Sequence, residues 1–239
     1  LVVNTEADSL PKWVFHESKR THLNIQAISN SASNAAPVRV MNDWARAEGS
    51  SARATVIASG LRTSPTTAAL VNGYMAHLQD YDDTHFPSVL HPTAPVWPAV
   101  FALAEDCGAS GRDALAAFAI GAEVACRTAM SVHPWHYDAG WHITGTAGVF
   151  GAVAAAGWLL GLSAEQLANA FKEQVANIGE MSGRLQHLES SSSQLDALAK
   201  TASSSMNESD EKTQFGSTSL KEVLNQQQQL VKNLSLIHI

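Results

Sequence analysis

The chain has 239 residues, of which 45% are hydrophobic and 15% charged, and its formal net charge is −7. That composition can bury a sizeable core, which excludes global disorder. An acidic balance without a Lys/Arg cluster excludes a general nucleic-acid binder, because phosphate contacts need concentrated positive charge.

At the start, Asn4, Glu6 and Asp8 interrupt any apolar run, so no signal peptide is expected. Leu10 to Ser29 reads as the first helix, with Pro11 suited to a first turn. Ala36 to Ala47 follows, with Val38, Met41 and Trp44 spaced by three. Ala52 to Ala58 carries Thr55, Val56 and Ile57 and reads as a small strand or extended edge. Ser64 to Asp83 is the third helix. Thr93 to Asp106 is the fourth, with Thr93 as N-cap candidate and Pro95 in the first turn. Arg112 to Ser131 is the fifth. Thr144 to Leu160 is the sixth, and Gly161 suits its C-cap. Ser163 and Gln166 open a seventh as a capping box. Long helices with almost no strand signal predict an all-α domain. The most apolar segment, Thr146 to Leu162, is too short and glycine-rich for a membrane span and reads as a buried core helix.

The character changes near Phe171. All six tryptophans, all eight prolines and twelve of the fifteen glycines precede it. This predicts a helical domain over 10–171 and a polar helical tail over 172–233. In the tail, Val175, Ile178, Met181, Leu185, Leu188, Leu195 and Leu198 form a coiled-coil-like stripe. The serine run Ser190 to Ser193 is expected to interrupt it, and a second helical piece runs from Ser219 to Asn233. A solvated helical hairpin or partly disordered arm is the expectation. Residues 234–239, Leu234 to Ile239, resemble the translated end of a sequencing-library adapter.

Cys107 and Cys126 sit in apolar helical stretches and are expected to be reduced, buried thiols. Neither a CxxC pair nor a Cys/His ligand spacing occurs, which argues against a structural zinc site. Gly145, Gly148 and Gly151 recur every third residue beside Ala152 and Ala154 to Ala156. They predict a thin helix for close packing. No phosphate loop is read there, because no GK[ST] ending follows.

The densest polar cluster is His77 to His85, followed by His91, Pro92 and Thr93. On a continuing helix His77, Asp80, Tyr81 and Thr84 would share one face, with Asp82 and His85 pointing elsewhere. Three aspartates at a helix C-terminus oppose the dipole, and their mutual repulsion should raise at least one pKa. Such broken local rules tend to mark functional sites. His91 and His142 each precede a predicted helix N-terminus, where free N–H groups favour anions. Two histidines so placed could hold carboxylates and move protons.

These residues carry a resemblance. Ala68 to Gly73, His77, Asp80 to His85 and His91 to Val96 resemble the signature stretch of the MmgE/PrpD family. Gly140 to Thr146, the small-residue helix and Leu160 to Leu162 are similar too, as is the opening around Leu10, Pro11, Lys19 and Arg20. The reduced thiols point to a cytoplasmic protein, and the resemblance implies a large all-α domain joined to a smaller α/β domain in a homodimer. It implies a lyase acting on a small di- or tricarboxylate, by dehydration of 2-methylcitrate in propionate catabolism or by decarboxylation of cis-aconitate. No cofactor, metal, nucleic acid or membrane is implied. Carried onto this chain, it assigns His91 and His142 to proton transfer or carboxylate binding. It has Asp80 orient a histidine or pair with a lysine, and Thr84 hydrogen-bond the substrate. These side chains are expected to converge on one pocket.

After Phe171 the family continues into a lysine-bearing segment and the small domain, whereas Lys172, Glu173 and Gln174 open the polar tail. The implied lysine has no counterpart, so the tail is read as foreign to the family and the chain as an incomplete, inactive enzyme. Two other readings compete: an interaction protein acting through a coiled coil over 172–233, and a metal-dependent hydrolase using Asp80, Asp82, Asp83, His85 and His91.

Overall fold

The computed structural model describes the backbone of residues 2–237 and the side chains of 2–229 and 232. The adapter-like end, Leu234 to Ile239, lies outside the described side chains. By contact the chain divides into two compact units, Leu1–Ile178 and Gly179–Ile239.

The first unit is built from helices: α1 (Lys12–Ala32), α2 (Ala36–Glu48), α3 (Pro65–His77), α4 (Thr93–Cys107), α5 (Gly111–Val132), the short α6 (Trp135–Asp138) and α7 (Ile143–Leu159). A last helix, α8 (Ala164–Ile237), begins in it. Their starts are chemically marked. The hydroxyl of Ser64 accepts from the Thr67 N–H, and that of Ser110 from the Asp113 N–H. At Ser163 the expected capping box closes both ways: the Gln166 N–H donates to the hydroxyl, and the Ser163 N–H donates to the Gln166 carboxamide oxygen. Leu160 holds the C-cap position of α7, and Gly161, expected there, follows it with φ +62°, the left-handed conformation that ends the helix. The extended edge becomes a two-residue strand, β1 (Ala54–Thr55), paired antiparallel with β2 (Arg62–Thr63). Buried Asn72 ties it to α3, accepting from the Ile57 N–H and donating to the Thr55 carbonyl.

The main core sits among α4, α5 and α7, where Val96, Val100, Ala117, Ala125, Ile143 and Ala155 are buried together. A second cluster, including Val38, Val56, Val71 and Met75, joins α2, α3 and the hairpin. Helices α5 and α7 meet backbone to backbone. A Cβ on Gly121 would fall 2.6 Å from the Gly151 carbonyl oxygen, and one on Gly151 would fall 2.5 Å from that of Gly121. The small-residue run therefore serves close packing, as its spacing predicts. Helix α5 is long and apolar enough to cross a membrane by length and composition, and here it packs against α7 in this core.

Four expectations need correcting. Helix α3 stops at His77 instead of reaching Asp83. Thr93 is the first residue inside α4, and Pro92 holds the N-cap position. Cys107 is exposed at the end of α4, while Cys126 is half-buried. The serine run does not interrupt the tail, which is one helix and no hairpin. Serine costs a helix only some tenths of a kcal/mol, and no proline follows Pro134 to break it.

Candidate active site

The segment after α3 makes a compact loop. The Asp80 N–H donates to the His77 carbonyl, and Asp80 takes φ +56°, a left-handed conformation aspartate tolerates better than most residues. Further on, the His85 N–H donates to the Leu90 carbonyl at 2.7 Å, and the His85 ring meets the Ser88 hydroxyl at 2.8 Å. This reversal turns Asp82 inward, where its side chain is fully buried. Asp83 turns the other way and accepts from the Thr93 N–H at 3.1 Å. A carboxylate there faces the positive end of α4, so Asp83 does not oppose the α3 dipole as the sequence implied.

Three imidazoles converge on this loop. His77 Nδ1 lies 3.3 Å from one Asp82 carboxylate oxygen, and His91 Nδ1 lies 3.5 Å from the other. The His77 ring centroid is 5.5 Å from that of His91 and 5.5 Å from that of His142, on which it stacks. His142 is the N-cap residue of α7 with a side chain that caps nothing, which leaves its ring to the cluster. The His91 N–H donates to the Thr144 hydroxyl at 3.0 Å, pinning the loop to the first turn of α7. Thr84 Oγ1 is 3.5 Å from His91 Nδ1, and an Asp80 oxygen is 4.0 Å from His91 Nε2.

The electrostatics follow from this crowding. Burial lowers the His142 pKa, and the neighbouring His77 and His91 lower it further, against an opposing pull from Asp80 and Asp82. Asp83 is raised, by burial first and only in lesser part by Asp82. The predicted rise among the aspartates is therefore present, but desolvation outweighs repulsion as its cause. A neutral imidazole beside others can accept a proton, and a protonated one can hold a carboxylate.

The structure gathers His91, His142 and Thr84 as expected, and Asp80 reaches the edge of the group with its side chain 74% exposed. Two members lay outside the expected set. Asp82 was placed on another face, yet it is the buried carboxylate that contacts two rings. His77, part of the cluster in sequence, is its central ring. The helical spacing rule misled here because α3 ends and the chain turns between them. Of the hydrolase ligand set, Asp83 and His85 are engaged by Thr93 and Ser88 instead. Among the described residues, His77, Asp80 and Asp82 have ligand atoms within 4.8 Å of one another.

The chain matches the profile of the MmgE/PrpD N-terminal domain over residues 1–235 and belongs to that family. It is 36% identical over 124 residues to the cis-aconitate decarboxylase of Homo sapiens, covering 50% of this chain and 26% of that protein. Against that of Mus musculus it is 37% identical over 123 residues, covering 49% and 25%. Against that of Aspergillus terreus it is 30% identical over 121 residues, covering 48% and 25%. The chain thus spans about a quarter of the length of the curated relatives it matches. The family match runs through the tail that was read as foreign.

Proposed function

We propose that this chain is the histidine-bearing part of a lyase for small di- or tricarboxylic acids, of the cis-aconitate decarboxylase or 2-methylcitrate dehydratase kind. The observation that carries this is the packing of His77, His91 and His142 around the buried Asp82 carboxylate. The names of the relatives favour decarboxylation. In decarboxylation the C–C bond to a carboxylate breaks, CO₂ leaves, and the carbon left with the electron pair takes a proton. In dehydration a C–H and a C–O bond break, and water leaves as the double bond forms. Either needs one group that moves a proton and others that hold carboxylates. Asp82 orients His91, which moves the proton. His142, whose protonation burial disfavours, donates a neutral ring N–H to a substrate carboxylate beside His77, Thr84 donates a hydrogen bond to it, and Asp80 bounds the entrance. The same reading takes the intact enzyme as cytoplasmic and homodimeric.

The cluster is open to water: His77 is 38% exposed at its side chain. Water weakens every electrostatic interaction a closed site would use, so the 239 residues alone turn over little or nothing. Titration of the purified chain with cis-aconitate, followed by the histidine ring signals in NMR, tests the site. Shifts confined to His77, His91 and His142, and lost in His91→Ala, are expected, with no CO₂ released. Unmoved ring signals would sink the site; CO₂ release would sink the claim of inactivity.

A further inference from the structure

From Met181 onward, the tail carries a seam of heptads. Met181, Leu188 and Leu195 occupy one core position of the repeat, and Leu185 occupies the other. The same register, kept without a break, brings Leu220 and Val223 to those positions near the far end. All six side chains are exposed, Leu188 by 62% and Leu195 by 67%, and no described side chain beyond Ile178 is buried. A polar helix of this length takes most of its stability from packing its apolar stripe. The middle of the seam is mostly small or polar, with Ser192, Ala199, Ala202, Ser209, Thr213 and Gly216, and Met206 as its one large apolar side chain. The two apolar ends are therefore where pairing is strongest.

The flanking charges choose the partner and its direction. On one side of the seam the charged residues are Glu189, Asp196 and Asp210, all acidic. On the other they are Arg184 and Lys212, both basic. In a parallel pair of identical helices these two sides face each other, so Arg184 of each copy meets Glu189 of the other. In an antiparallel pair each side would face itself, acid on acid and base on base. The ion pairs Arg184 and Lys212 make within their own helix, to Glu180 and Glu208, are exposed and easily exchanged. The apolar stripe is narrow, widened only by Leu198 and Leu224, which suits two strands rather than more.

We propose that α8 beyond Ile178 is an in-register, parallel dimerisation helix whose partner is a second copy of this chain. The proposal rests on the tail alone and is independent of the lyase reading.

Sedimentation equilibrium of the full chain tests it. The expected mass is twice the 25.4 kDa of one chain. Replacing both Leu185 and Leu188 by Asp should weaken the dimer at least ~100-fold, because two carboxylates per helix would be buried in the seam. Arg184→Glu should weaken it ~5-fold, and adding Glu189→Arg should restore it. For direction, Ser192→Cys in a Cys107→Ser background should cross-link two copies in a glutathione redox buffer. A monomer at micromolar concentration, a higher oligomer, or a dimer indifferent to the Asp pair overturns the proposal. A dimer that the Asp pair dissociates but Ser192→Cys does not cross-link overturns the parallel arrangement.

Discussion

His77 Nδ1 and Asp82 Oδ2 stand 3.3 Å apart, joining the last residue of α3 to a carboxylate five positions on. No helix brings residues so spaced together; the turn at Asp80 does. The other oxygen of the same carboxylate faces His91. One buried carboxylate is therefore hydrogen-bonded to His77 and lies 3.5 Å from the His91 ring. Asp82→Ala should cost about 1–3 kcal/mol of stability, the usual penalty for stranding buried polar partners. Asp82→Asn, which keeps the shape, should cost less. Urea unfolding of the two variants checks this, and an Ala variant as stable as the parent would count against the carboxylate's role.

The His142 ring should titrate below the ordinary imidazole value of about 6.5. Protonation is thus harder in the folded chain than in the unfolded one. The stability His142 contributes is complete above that ordinary value and declines as pH falls toward the folded one. Replacing His77 by Gln should move the titration upward, since one of the neighbours that lowers it is gone. Histidine C2–H shifts against pH measure both effects; a His142 midpoint above the ordinary value would contradict the crowding described.

Gly151→Ala should destabilise the first unit by about 1–3 kcal/mol, because the new methyl group meets a backbone oxygen that cannot rotate away. The same change at Gly145, whose Cβ would find only the His142 ring at 4.0 Å, should cost far less. Thermal unfolding of the two variants compares them, and equal losses would refute the close approach of α5 and α7.

The thiols should react in a fixed order. Burial, then Glu123 and Asp83, push the Cys126 thiol up to about 11, so it is almost wholly protonated at neutral pH. Cys107 is exposed. One equivalent of Ellman's reagent should react with the native chain and a second only on unfolding. Faster labelling of Cys126, read by peptide mapping, would contradict this.

Much of this was legible beforehand where a local rule had one solution. Ser163 and Gln166 stand at the spacing of a capping box, and small residues on a helical stretch suit a thin helix. His91 and His142 stood out because each precedes a helix start. Asp82 was hidden because nothing between His77 and Asp83 is Gly or Pro, so the sequence offers no stop to α3. The left-handed turn at Asp80 is set by tertiary contacts, chiefly Asp83 with Thr93 and His91 with Thr144, which pairwise spacing does not encode. The tail's helix survived its serines for a similar reason: weak helix formers without a true breaker do not end a helix.

The hydroxyl that receives the His91 amide belongs to the opening turn of α7, whose preceding residue is His142. Loop and helix are thereby tied, and opening the gap between these two rings by moving the backbone would break that hydrogen bond. On the proposed reading, this is the part of the wall least free to spread for a longer acid. If that reading holds, adjustment to acid length falls on whatever faces this wall, with His91 and His142 as its fixed ruler.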